Sequence, residues 1–458
     1  MVILNSIKDK DYRARKLSIK EGIFASMKGE FGDSYVAPFA IAINASNAMI
    51  SVLTAVVEFL GPINQMFGSK LIEKESRKKI LLKTVLFEAL MWLPLILIAF
   101  LFYKGIITNF LPLLVLLSFA VYTIFLNVGH PAWFSWMGDI VGEKHRGKWF
   151  SKRNLITGFI SIVMAITAAV FLDYFKRHNM IMFGFMVLFF LAFLARIGSW
   201  GILKKQYEPE IKLKKGNPFS FWNFVKNSPK NNFGKFTIFR ALIGFSSAIA
   251  SPLIAVYLLR NLGFNYVEYI AISLGGTFIS LFALEFLGKF ADKYGNIRTA
   301  ILSSILIPVI PVLYLLHHSL IYLLLIPSVI SGVAWAGLHL ASGNFVYDNM
   351  AQEKRGQAVS YFNMVWGIGV ALGAAIGAIL IKYLNTTILA PIVVVFIISA
   401  VARALVVLWW APRLKDMQKT QKVSTRKALR DIVFKHLRHT LIEETHQIMS
   451  IKRYMWGK

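Results

Sequence analysis

The sequence predicts an all-α polytopic membrane protein of twelve transmembrane helices in two pseudo-symmetric six-helix bundles, and three observations predict it. The apolar residues, 56% of 458, come in blocks of about 20, the length a helix needs to cross the hydrocarbon layer. Lysine and arginine collect in alternate loops. A polar signature is also repeated 209 positions apart: Asp139, Arg146-Gly147, Ser151 and Asn154, then Asp348, Arg355-Gly356, Ser360 and Asn363. Such an echo in two hydrophobic contexts is what a duplicated membrane fold leaves behind.

Taken in order, a polar, basic arm (1–20) precedes spans near 21–43, 47–68, 82–103, 110–137, 150–172 and 180–203. Uniformly apolar blocks exclude a β-barrel, whose strands would alternate polar and apolar residues. The first span is the least apolar, with Lys28, Glu30 and Asp33 inside it. It is assigned because the repeat requires an even count. A polar stretch, 204–235, links the first bundle (21–203) to a second (236–411). Spans of the second half lie near 236–259, 266–287, 299–317, 319–346, 358–381 and 388–411. The tail, 412–458, is basic. From Ser424 to Arg453 its apolar residues recur at helical spacing, which suits a helix on the inner leaflet or a cap on the cytoplasmic loops.

Charge sets the orientation. With both termini cytoplasmic, the opposite loops hold only Lys104, Lys176, Arg177, Arg260 and Lys382 of the 51 Lys+Arg. Basic residues concentrate on the cytoplasmic face, so the expectation is a multi-pass plasma-membrane protein with its N- and C-termini inside. The net charge of +28 then reflects contact with anionic lipid headgroups, not nucleic acid. No removable signal peptide is expected at the polar N-terminus, which would leave targeting to the first span.

Enzyme chemistry finds no support. There are no cysteines, hence no disulfides, thiolate metal sites or cysteine nucleophiles. A phosphate-binding Gly-x4-Gly-Lys-Ser/Thr, a His-Glu-x-x-His helix and a nucleophile elbow are all missing. No catalytic residue, metal or cofactor is expected.

The loop after span eight reads Gly288-Lys-Phe290-Ala-Asp292-Lys293-Tyr-Gly295-Asn-Ile-Arg298. At an offset of 219 the loop after span two aligns with it: Ser69, Leu71, Glu73, Lys74, Ser76 and Lys79. This resembles the loop motif of the major facilitator superfamily (Gly-x-Leu-Ala-Asp-Arg-x-Gly-x-Arg-Arg), although the first copy lacks both glycines. The twin Asp-x6-Arg-Gly loops look like that superfamily's loops after helices four and ten.

The resemblance implies a secondary transporter, with a small-molecule solute and a proton or other ion as partners. Its two bundles would rock about a site at mid-depth. A cytoplasmic gate would draw on Glu73, Lys74, Asp139 and Arg146 in one half and on Asp292, Lys293, Arg298, Asp348 and Arg355 in the other. Glu73 and Asp292 would reach the helix ends near Arg146 and Arg355, as ion pairs made in one conformer and broken in the other. Solvated loop charges, each contributing at most about 1 kcal/mol, are the alternative.

The resemblance also implies that helices one, four, seven and ten line the cavity. There Glu30 and Asp33 share a face, as do Asn127 and His130, while Arg240, His339 and Asn344 complete the candidate solute and ion site. Ionisable groups at such depth are costly and mark pathways. Glu30 and Asp33 are the candidate couplers; a structural ion pair with Lys28 or Arg240 is the competing reading. Glu58, Arg196, Glu285 and Arg403 are assigned to interhelical pairing or snorkelling. Gly369, Gly373 and Gly377 form a seam for close helix approach. The abundance of Phe and Met leans towards efflux of amphipathic compounds by a monomer. A non-transporting sensor or lipid-interacting scaffold on the same fold is the alternative function.

Overall fold

A computed structural model describes residues 2–141, 146–209, 220–349, 352–385 and 388–414, with side chains described from residue 11 onward and not at 146–148, 347–349 or 352–357. Helix α1 (Val2–Phe31) merges the basic arm with the first span. Among the described residues, eleven helices long and apolar enough to cross a membrane follow. In the first half these are α2 (Asn47–Leu71), α3 (Arg77–Tyr103), α4 (Thr108–Ile140), α5 (Trp149–Arg177) and α6 (Ile181–Lys205). The second half has α7 (Asn232–Asn261), α8 (Tyr266–Tyr294), α9 (Asn296–Leu316), α10 (Leu320–Val346), α11 (Ala358–Tyr383) and α12 (Pro391–Arg413). The amphipathic tail assignment lies outside the described residues.

The first span stands apart from those eleven for the reason its sequence gives. Charged residues dilute its apolar character, and α1 stops at Phe31, short of the span's end. A Cβ at Gly32 would collide with the buried Trp92 ring. The chain turns there through Asp33–Tyr35 and resumes as a short helix, Val36–Ala42. The break leaves Asp33 and Ser34 on a turn at mid-chain of the span.

Each half packs mainly on itself, α1 against α5 and α6, α3 against α4 and α6, α7 against α11 and α12, α9 against α10. The halves meet along α2 with α11 and α5 with α8. Close approach explains the glycine seam on α11. A Cβ at Gly369, Gly373 or Gly377 would overlap the carbonyls of Ala241, Phe245 or Ile249 on α7.

Helices α7 and α9 are interrupted in mid-course. Pro252 ends the helical run Asn232–Ala248, and the chain resumes over Leu253–Val256 and a π-helical turn, Tyr257–Asn261. Pro308 divides Asn296–Leu306 from Val309–Leu316. Proline lacks the N–H its helix needs, so such breaks free carbonyls that a membrane interior obliges the protein to satisfy.

Candidate functional site: a charged first half and an interfacial cavity

The loops α2–α3 and α8–α9 mark what is here called the motif end of the bundle; the opposite end is the far end. At the motif end Arg77 is buried, only 1% exposed. Its Nη1 donates to Asp139 Oδ2 at 2.5 Å and to Ser135 Oγ at 3.2 Å, and its backbone N–H to Glu208 Oε1 at 2.9 Å. A buried guanidinium held by two carboxylates ties the start of α3 to the end of α4. At the offsets of 219 and 209, Arg77 corresponds to Asn296 and Ser135 to Asn344. Those two are also bonded, Asn344 Nδ2 to Asn296 Oδ1 at 3.2 Å. Asn344 therefore sits in the second-half version of this motif-end joint.

Glu73 and Lys74 are exposed, as are Asp292 and Lys293, with Lys293 5.0 Å over the Tyr294 ring. Arg298 is half-buried beside them in sequence. The side chains of Arg146, Asp348 and Arg355 lie outside the described residues, so the pairings expected of Glu73 and Asp292 fall there too.

Deeper in the first half, alternating charges form a continuous chain across α1, α3, α6 and α5. Asp33 Oδ2 accepts from Lys28 Nζ at 2.9 Å, and Tyr122 donates to Asp33 Oδ1 at 2.5 Å. Lys28 also meets Glu88 at 3.0 Å. Glu88 accepts from Arg196 at 2.5 Å, Arg196 lies 3.8 Å from Glu21, and Arg153 closes the series on Glu21 at 3.3 Å. Lys28, Glu88, Arg196 and Glu21 are all buried. In a low-dielectric interior each charge is tolerable only because its neighbours are opposite in sign and hydrogen-bonded.

The chain flanks a cavity of about 360 Å³ that His130 also lines. Glu30 belongs to none of these pairs; its carboxylate accepts from Ser34 at 2.9 Å. Asn127 bridges α4 to α2 by accepting from Gln65 at 2.8 Å.

In the second half, Arg240 lies 4.5 Å from both the Phe362 and Trp366 rings and donates to Asn363 at 3.3 Å. His339 stacks on Trp335 at 5.6 Å and meets Trp366 edge-on at 6.1 Å. Arg403 adds donors at the breaks in α7 and α9. It donates to the Ile307 carbonyl at 3.2 Å and the Ser247 carbonyl at 3.1 Å, while Ser399 donates to the Ser246 carbonyl at 2.6 Å. Pro311 withholds the helical N–H from Ile307, whose carbonyl keeps a 3.3 Å bond from the Ile310 N–H, and the guanidinium adds a second donor. Glu285 pairs with Lys289 at 2.9 Å on the exposed face of α8.

Glu58, assigned from the sequence to interhelical pairing or snorkelling, makes no ion pair among the described residues. It comes from α2, yet it lines a cavity of about 230 Å³ whose other residues, Trp335, Trp366 and Arg403 among them, belong to the second half. A neighbouring cavity of about 340 Å³ shares Ser251 and Ser331 with it and reaches between the halves to Ala37, Ile50 and Thr54.

Contacts between the halves close the far end. Asp173 at the end of α5 accepts from the Tyr266 and Val267 N–H groups at 2.8 and 2.9 Å, where a carboxylate meets the positive end of α8. Arg260, at the end of α7, donates to Asn47 Oδ1 at 2.5 Å and to the Ala45 carbonyl at 2.9 Å. Tyr266 also packs edge-on to Tyr35 and Phe185.

Sequence reasoning did not single out Glu21, Glu88, Arg153, Arg77 or Asp173. Glu88 was visible as an acid within an apolar block. Nothing in the local pattern said which helix would supply its base.

Comparison with known proteins places this geometry. The sequence pattern of the Major Facilitator Superfamily matches residues 236–442. No curated protein matches the chain. Among solved structures, a variant of the nucleoside transporter NupG has a TM-score of 0.67 at 13% identity, covering 87% of this chain and 100% of that one. A bacterial homologue of the iron transporter ferroportin in its inward-facing state gives 0.65 at 13% identity, covering 87% and 99%. A bacterial metal transporter gives 0.61 at 13% identity, covering 87% and 98%. At such identities the likeness is one of fold. The family's sequence pattern thus lies on the second half, and the likeness in fold to these solved structures extends over 87% of the chain.

Proposed function

We propose that the protein is a secondary transporter that carries a small solute across the plasma membrane by alternating access, with both termini cytoplasmic. The observation that supports this best is the seal at the far end. It is built from contacts between the two halves, Asp173 with α8 and Arg260 with the α1–α2 connection, and an interfacial cavity lies between those halves. In this reading the far end is extracellular, the conformation is inward-facing, and the seal must break for solute to pass. Joints inside each half, such as Arg77 with Asp139, keep the bundles rigid as they rock.

Coupling to a proton or cation is assigned to Glu30 and Asp33. Both stand at the break in the first span, Glu30 without an ion pair among the described residues and Asp33 at the end of the charged chain. A carboxylate there can load and release a proton as access alternates.

The test is uptake by proteoliposomes across a panel of solutes, with and without a pH gradient. Glu30→Gln or Asp33→Asn should abolish gradient-driven accumulation and leave exchange intact. Normal accumulation by both variants overturns the coupling assignment; no flux of any solute returns the protein to a sensor or scaffold role.

A further inference from the structure

We propose that the Glu58 cavity recognises an organic cation, an amine or quaternary ammonium carried on an apolar body, and that this is the class of solute transported. The inference rests on the transport reading above and names its substrate. Glu58 is half-buried, and among the described residues its carboxylate has no hydrogen bond or ion pair. A carboxylate in a membrane interior without a counter-charge is costly to maintain, and a cationic ligand would supply the missing partner. The walls suit one: Trp335, Trp366, Tyr314 and Phe396 line the same cavity, and aromatic faces attract ammonium groups.

A second acceptor points the same way. Ser247 Oγ is buried in a residue only 5% exposed, lines this cavity and has no hydrogen-bond partner. Arg403 also lines it, but three of its nitrogens are turned onto the Ile307 and Ser247 carbonyls and Ser399 Oγ. The adjoining interfacial cavity is walled by apolar residues and hydroxyls and carries no ionisable group except Tyr269 and Tyr314. It offers room for the apolar body while the charge sits at Glu58. Because Glu58 belongs to the first half and the aromatic walls to the second, such a ligand would bind both halves at once. That is what a solute must do to bias their equilibrium.

Binding to the purified full-length protein tests this without requiring transport. The probes are phenyltrimethylammonium, its neutral isostere tert-butylbenzene and the anion benzenesulfonate, followed by calorimetry and tryptophan fluorescence. The wild type should bind the cation most tightly. Glu58→Gln should weaken cation binding about tenfold or more and leave the neutral probe unchanged, with Glu58→Asp keeping most of the affinity.

Equal binding of cation and isostere, tighter binding of the sulfonate, or an unaffected Glu58→Gln overturns the proposal. If Glu58→Gln does not fold, Trp335→Leu decides: a lost preference for the cation supports the site, and a retained one overturns it. Cation binding without solute flux in proteoliposomes would keep the site and sink the transport reading; flux without cation binding would do the reverse.

Discussion

At the scale of single residues, the charged chain of the first half makes the sharpest demand. Arg196 serves Glu88 and Glu21 at once, so Arg196→Leu leaves two buried carboxylates short of a partner. Removing one member of a buried pair costs roughly 3–5 kcal/mol. Thermal unfolding in detergent should show a large drop for Arg196→Leu. Lys74→Ala, on an exposed loop, should stay within about 0.5 kcal/mol of the parent. An unchanged midpoint in Arg196→Leu would mean that the chain is not a stabilising unit. The sequence exposed Lys28, Glu30 and Asp33 because charges stand out in an apolar span. It hid their partners, since Lys28 meets Glu88 only when α1 and α3 have taken their positions. The place of Glu58 was hidden for a related reason. Membership of a helix does not say which half of the molecule a side chain will face.

At the scale of elements, the helices were legible and their interruptions partly so. Apolar blocks of span length can be nothing but helices in a bilayer, because every backbone group must be paired internally. The α11 seam was readable as well, from three glycines at a four-residue spacing. Its partner, the carbonyl row of α7, was not. Gly373→Val should force α7 and α11 apart and cost about 1–3 kcal/mol by overpacking. Gly201→Ala on α6, where a Cβ would meet nothing within 4 Å, should be neutral or slightly stabilising. Comparing the two melting temperatures checks this, and equal values would remove the seam from the account. Arg403 belongs at this scale too. Arg403→Met should destabilise by removing the side-chain donor that supplements the Ile310 N–H at the Ile307 carbonyl; a midpoint equal to the parent's would show that this donor adds nothing.

At the scale of the whole molecule, the proposed transport cycle makes the far-end contacts the seal that closes one side of the cavity. Removing both cross-half contacts, with Asp173→Ala and Arg260→Ala together, should shift the population towards the outward-open conformer. The natural chain has no cysteine, so a single Thr54→Cys on the interfacial cavity wall makes a clean reporter. Its labelling by a membrane-impermeant thiol reagent from the far side should rise several-fold in the double variant. No change in labelling would mean that those contacts do not hold the gate.

What the sequence by itself determined is everything that depends on local composition and on repetition: the spans, their order and the doubled plan. These follow from the bilayer acting as solvent, which reads each block of about 20 residues independently. Tertiary structure alone decided which charges neutralise one another, where the halves seal, and that Glu58 of one half lines a cavity of the other. Such relations join residues distant in the chain, and their energies exist only once packing has removed water and brought the groups within a few ångströms.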